Sequence, residues 1–132
     1  MIFVDTSALI ALGDRNDKNH KKAVKFFRET IKTTRFVIPK HIIVEYIDGV
    51  TKRIGKKEAM ERLDNILSSK LIIIQHDKLK DWEKAIEYFF KYSDQEIDLT
   101  DCLSFAMMER LDLRTAFTFD SDFKTHGFEV VP

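Results

Sequence analysis

The sequence predicts an α/β/α sandwich with a central, mainly parallel sheet and its first strand near the middle. Short apolar runs alternate with longer segments of helical periodicity along the whole chain. Strands separated by helices pair in parallel through right-handed crossovers. No Pro/Gly/Ser-rich linker, internal repeat or low-complexity tract interrupts the pattern, so residues 1–132 read as a single domain.

The elements follow in order. Ile2–Val4 is a short apolar strand, and Ser7–Leu12 is a helix-compatible run ending near Gly13. Asp17 is placed to cap a helix over Lys18–Ile31, in which Ala23, Phe26, Phe27 and Thr30/Ile31 recur at helical spacing. Phe36–Ile38 is a second strand, closed by Pro39. His41–Ile54 is a helix with an apolar stripe at Ile43, Ile47, Val50 and Ile54. Gly49 weakens it and Gly55 is a natural stop. Lys57–Ser68 is helical, with Met60, Leu63 and Leu67 on one face.

Leu71–Ile74 is a continuous apolar run, as in a strand covered on both faces. Leu79–Tyr92 reads as a helix with Trp82, Ala85/Ile86 and Phe89/Phe90 inward. A polar loop over Ser93–Leu99 leads to Thr100, an expected N-cap for the apolar helix Asp101–Leu111. Ala116–Phe119 is a fourth strand, Asp120–Gly127 a turn or short helix, and Phe128–Val131 a last strand.

Composition excludes several classes. No window approaches the roughly 18 consecutive apolar residues of a membrane span, and the N-terminal stretch has no signal-type region. One cysteine, Cys102, leaves no internal disulfide and suits a reducing cytoplasm. In an apolar helix it reads as a small core residue. The net charge is zero, but residues 1–70 carry 15 basic and 9 acidic side chains against 7 and 13 in residues 71–132. That asymmetry fits a basic binding surface beside an acidic site, or two solvated faces of opposite sign.

The acidic residues at element boundaries are the most informative feature. Asp5 ends the first strand and Asp120 follows the fourth, so both belong at one sheet edge. Ligands of such sheets bind beyond the carboxyl ends of the strands. Asp101 lies in the first turn of a helix, Asp122 lies two residues past Asp120, and Glu45 lies early in the helix after strand two. Each also has an ordinary structural explanation. Asp101 complements a helix dipole, Asp120-Ser121-Asp122 suits a turn, Asp5 can cap a helix, and Glu45 sits on the polar side of its helix. If they converge, repulsion among them calls for a cation. Oxygen-only donors suit Mg²⁺ or Mn²⁺, the arrangement of metal-assisted phosphodiester hydrolysis.

Val4-Asp5-Thr6-Ser7-Ala8-Leu9 resembles the opening motif of the PIN-domain ribonucleases. Glu45 after strand two, Leu99-Thr100-Asp101-Cys102-Leu103-Ser104-Phe105-Ala106, and Thr118-Phe119-Asp120-Ser121-Asp122-Phe123 extend the likeness. Asp17, His20 and Ala23, and Phe123 to Phe128, are similar to phrases of the same family. Length and motif order are most similar to the short VapC-like toxins of toxin–antitoxin pairs. Residues 56–97 carry no distinguishing motif, and Cys102 stands where a small Ala is common.

The resemblance implies a PIN fold and divalent-metal-dependent RNA cleavage. It implies that Asp5, Glu45, Asp101 and Asp120 form the metal site, with Asp122 as a fifth contributor. Thr6 and Thr118 would orient Asp5 and Asp120 by hydrogen bonds. It further implies inhibition by a cognate antitoxin and pairing into a homodimer. Met60, Leu63, Leu67, Trp82 and Phe89 would suit a dimer surface if exposed, although core packing is their ordinary fate. Asp98 adds an acid near the site without a ligand role.

Other signals are few. There is no glycine-rich phosphate loop, and His20, His41, His76 and His126 show no zinc spacing, so they read as structural or surface residues. Lys18 to Arg28 supplies a basic helix face, solvated or tracking RNA. Lys52, Arg53, Lys56 and Lys57 are candidates for contact with an RNA backbone. A phosphotransfer receiver fits poorly, because strand three closes on Ile74-Gln75-His76 with no Asp. A non-enzymatic alternative is a metal-stabilised module that binds RNA or protein without turnover.

Overall fold

The computed structural model describes residues 1–132. Five strands form one parallel sheet in the order β3-β2-β1-β4-β5. They are β1 (Ile2–Val4), β2 (Phe36–Pro39), β3 (Ile72–Gln75), β4 (Thr115–Phe117) and β5 (Glu129–Val131). The first strand is central, as the alternation implies. Seven helices cover the sheet: α1 (Thr6–Gly13), α2 (His20–Thr30), α3 (Lys40–Arg53), α4 (Lys56–Ser68), α5 (Leu79–Lys91), α6 (Leu99–Arg110) and α7 (Asp122–His126).

Strand alternation sends side chains to both faces of the sheet. Val4, Phe36, Ile38 and Phe117 join a core completed by α1 to α4, through Ala8, Ala11, Ala23, Ile42, Tyr46 and Ile66. Phe3, Val37 and Ala116 join a second core with Ala85, Phe105, Met108 and Phe123 from α5 to α7. The layers are therefore α/β/α. Helix α6 is the most deeply set. Seven of its twelve residues are buried, Cys102 among them, and burial pushes the Cys102 thiol up to about 11.

Several local expectations are corrected. Asp98, not Thr100, caps α6: its carboxylate accepts the Asp101 N–H at 2.8 Å. Asp17 accepts the Asn19 N–H instead of starting a helix at residue 18, and α2 begins at His20. On α3 the inward set is Ile42, Ile43, Tyr46 and Val50, while Ile54 is exposed beside Gly55, whose φ of +136° turns the chain into α4. On α4, Ala59 and Ile66 are buried, whereas Met60 and Leu67 are about 60% exposed.

The largest correction is on α5. Trp82, Phe89 and Phe90 point outward, and Asp81, Ala85, Tyr88 and Tyr92 face in. A polar network explains the inversion. Buried Asp81 receives Arg110 Nε on both oxygens, at 2.8 and 2.9 Å, and the Lys78 N–H at 2.7 Å. These bonds outweigh the burial of Asp81 and hold its carboxyl below the usual range. His126 bridges Tyr92 Oη and Glu109, and Tyr88 Oη also donates to Glu109. No helix is long and apolar enough to cross a membrane.

Candidate metal centre

In the order β3-β2-β1-β4-β5 the chain leaves β1 toward β2 on one side and returns to β4 on the other. The gap beyond the carboxyl ends of β1 and β4 is thus the topological switch point, where open α/β sheets bind ligands. Asp5 directly follows β1, and its N–H donates to Phe117 O at the end of β4. Asp120 lies three residues past β4, in the turn before α7. Helices α6 and α7 bring Asp101 and Asp122 to the same edge.

Carboxylate oxygens of Asp101, Asp120 and Asp122 lie within 4.8 Å of one another. The turn at β4 sets two of them, because the Asp122 N–H donates to Asp120 Oδ1 at 2.9 Å. The Asp98 cap fixes the first turn of α6 and hence Asp101. Asp101 is buried, and its pKa is pushed up to about 9 by burial first and then by repulsion from Asp98, Asp120, Asp5 and Asp122. Asp122 is raised as well, by burial and then by Asp120.

Asp5 adds its charge to this group of three, and Glu45 is tied to Thr6, the residue after Asp5. Asp5 is 5% exposed, and desolvation raises its pKa against the hydrogen bonds it accepts. Thr118 Oγ1 and Ser7 Oγ each donate to Asp5 Oδ2 at 2.9 Å. The same two hydroxyls accept the backbone N–H groups of Asp120 and Phe119. Glu45 is exposed on α3, and its Oε2 accepts the Thr6 hydroxyl at 2.8 Å.

The supporting residues differ from their expected roles. The Thr6 hydroxyl goes to Glu45 while its backbone N–H bonds Asp5, and Thr118 holds Asp5 while bonding only the backbone of Asp120. Ser7 is an unexpected member. Nothing in a lone serine after Asp5-Thr6 shows that residue 119 will meet it. His41 is a second. Its Nε2 lies 2.8 Å from the Ser104 hydroxyl, one turn along α6 from Asp101, and burial lowers it to about 4. Lys52, Arg53, Lys56 and Lys57 are exposed at the α3–α4 junction and make no salt bridge.

The donor set fits a hard divalent cation. The close carboxylates are all oxygen donors, and burial, reinforced by repulsion among them, raises Asp101 until a counter-charge is supplied.

A parallel sheet with an acidic cluster at its β1/β4 switch point defines an open α/β protein with a candidate metal site at its sheet edge. The PIN domain family model matches residues 2–129, and the chain belongs to that family. The 23S rRNA-specific endonuclease VapC20 of Mycobacterium tuberculosis is 31% identical over 133 residues, covering 100% of this chain and 99% of the relative. The crystal structure of that species' VapC20, described as a Sarcin-Ricin loop cleaving toxin, matches with a TM-score of 0.89 and 28% identity over the full length of both chains. VapBC2 from Rickettsia felis, solved with a DNA fragment from its promoter, has a TM-score of 0.76 over 98% of this chain and 97% of that one. At 18% identity it shares the fold.

Proposed function

We propose that this chain is a divalent-metal-dependent endoribonuclease, the toxin of a toxin–antitoxin pair. The observation that carries the proposal is the convergence of Asp101, Asp120 and Asp122 at the switch point, with the charge of Asp5 added to theirs. A full-length relative named as a 23S rRNA-specific endonuclease supports the RNA substrate.

Asp5, Glu45, Asp101 and Asp120 would hold Mg²⁺ or Mn²⁺, with Asp122 as a fifth donor. When bound, the ion supplies a Lewis acid that acidifies water and offsets charge on the scissile phosphate. The protein's own part is positioning. Thr118 and Ser7 fix one oxygen of Asp5, and Thr6 fixes one oxygen of Glu45. Asp5 Oδ1 and Glu45 Oε1 receive no side-chain donor and remain available to a ligand. The hydroxyls that hold Asp5 are themselves tied to the backbone after β4, which links Asp5 to the turn carrying Asp120. Hydrolysis in line would leave a 5′-phosphate and a 3′-hydroxyl.

The reading also includes a cytoplasmic setting, an antitoxin that covers the acidic site, and a homodimer. Exposed Met60, Leu67, Trp82 and Phe89 supply apolar surface for the dimer. A monomer at micromolar concentration by light scattering would count against it.

The central experiment compares RNA cleavage by wild type and Asp5→Asn at matched thermal stability, with and without EDTA. Metal-dependent cleavage lost in Asp5→Asn is the expected result. Cleavage that survives both the chelator and the substitution sinks the mechanism.

A further inference from the structure

A cleft of about 480 Å³ opens beside the acidic centre, between α1 and the turn after it, the later turns of α3 and the middle of α4. It shares Thr6 and Glu45 with that centre. Its size falls in the roughly 300–1,000 Å³ range of pockets that enclose small organic groups. Ile10, Val50 and Ile54 give it an apolar wall, and Asn16, Arg53 and Arg62 give it polar edges.

Arg62 is held in place at one side. Its Nε donates to Glu58 Oε1 at 2.9 Å, Nη1 to Tyr46 Oη at 2.9 Å, and Nη2 to Gly13 O at 3.4 Å. A guanidinium has five N–H donors, so one on each terminal nitrogen is left without a protein acceptor. Gly13 permits this close seat, since a Cβ there would stand 2.6 Å from Tyr46 Oη and 2.7 Å from Arg62 Nη1. Gly49 lines the cleft from the middle of α3, and a Cβ added there would meet nothing within 4 Å. An Ala would favour the helix by about 1 kcal/mol. The space beside Gly49 is open, so a larger side chain there would project into the cleft.

We infer that this cleft receives one unstacked nucleotide of the RNA substrate, next to the phosphate cleaved at the acidic centre. The inference rests on the ribonuclease reading above. Through Thr6 and Glu45 the cleft adjoins the centre, within reach of a strand lying across it. Its chemistry is that of a base site, with an apolar wall for the ring faces and fixed donors for an acceptor edge. Proteins that read RNA do so mainly on splayed, single-stranded bases of this kind.

The test begins by mapping a cleavage site with the wild-type protein. An oligonucleotide spanning it is then made with each flanking base in turn replaced by an abasic ribose. Loss of one flanking base should lower kcat/KM about tenfold or more, the scale of a stacked base. Gly49→Leu, which fills the cleft, and Asn16→Ala, on its rim, should lower kcat/KM on the intact oligonucleotide. Both should respond less than wild type to the abasic change, so that the two losses do not add. Circular dichroism and Tm check that the variants fold.

Wild-type cleavage that ignores every abasic replacement, or full additivity with Gly49→Leu, overturns the cleft assignment and leaves the ribonuclease reading standing. Variants that cleave normally but escape a protein inhibitor assign the cleft to that partner instead. Absence of metal-dependent cleavage by wild type overturns the ribonuclease reading, and the cleft assignment with it.

Discussion

Thr118 Oγ1 donates a 2.9 Å hydrogen bond to Asp5 Oδ2 across 113 residues of sequence, entirely inside the protein. Ser7 makes a matching bond to the same oxygen, and the two hydroxyls lie 3.1 Å apart. Each hydroxyl has one proton and spends it on Asp5, and each oxygen accepts a backbone N–H, that of Phe119 on Ser7 and that of Asp120 on Thr118. The ends of β1 and β4 are thereby locked together around one carboxylate.

Thr118→Val keeps the shape and removes the hydroxyl. Asp5 loses one donor and the Asp120 N–H loses its acceptor, a change worth about 1–3 kcal/mol of stability. Divalent-ion affinity or cleavage should fall about 10–100-fold. Thr118→Ser restores the hydroxyl and should recover most of both. Calorimetric titration with Mn²⁺ and a thermal melt check the pair. Equal ion affinity in Thr118→Val and wild type would remove Thr118 from the site's support.

Asp101 gives a pH dependence with a defined sign. Its folded pKa of about 9 lies above the usual carboxylate value near 3.8, so the folded state binds the extra proton between them. In EDTA, stability should therefore fall as pH rises through that window. Asp5 and Asp122 are shifted in the same direction. Asp101→Asn should flatten the slope and raise the metal-free Tm at pH 8. Saturating Mg²⁺ or Mn²⁺ should stabilise wild type most at high pH and stabilise Asp101→Asn much less. A metal-free Tm that rises from pH 6.5 to 8.5 would contradict this.

His41 acts with the opposite sign on the acid side. Burial lowers it from 6.5 to about 4, and its Nδ1 has no hydrogen-bond partner. Asp77 pulls its pKa up and Lys40 pushes it down, both less strongly than burial does. The unfolded chain thus binds more protons between pH 4 and 6.5, and stability contributed by neutral His41 is lost as pH falls through that range. The difference between wild type and His41→Asn, followed by Tm, should grow from pH 4 toward 6.5 by about 1–3 kcal/mol. A constant difference would mean that His41 does not titrate differently on folding.

The sequence was legible where chemistry and chain position coincide, and opaque where a remote contact decides. Asp5 and Asp120 could be placed at one edge because each ends a strand. Apolar periodicity found all five strands, since each run serves both faces of the sheet. It misassigned α5 because the inner side there is polar and satisfied. Asp81 with Arg110, and Tyr88 and Tyr92 with Glu109 and His126, leave Trp82 and Phe89 outside. Glu45 read as a solvated residue and is exposed. What the sequence did not show is that Thr6 reaches it across 39 residues. Ser7 stayed hidden for the same reason, its partners being at 118 and 119.

The basic side chains at the α3–α4 junction give the last prediction. Lys52, Arg53, Lys56 and Lys57 are exposed and free of acidic partners, and Arg53 also edges the cleft beside Glu45. Repulsion from the acidic centre must be offset somewhere if RNA is to lie across it. Arg53 lines the cleft, and Lys52, Lys56 and Lys57 lie beside its lining residues in sequence. Replacing all four with Gln removes up to four phosphate contacts. The slope of log affinity against log salt should then become shallower by about 2–3, near 0.7 per contact for single-stranded RNA. Binding should be measured with Asp5→Asn as background so that RNA survives the titration. Because phosphate contacts carry no sequence information, a variant with only Lys52, Lys56 and Lys57 replaced should lose affinity similarly for RNAs of different sequence. An unchanged slope would show that these four residues are only a solvated surface.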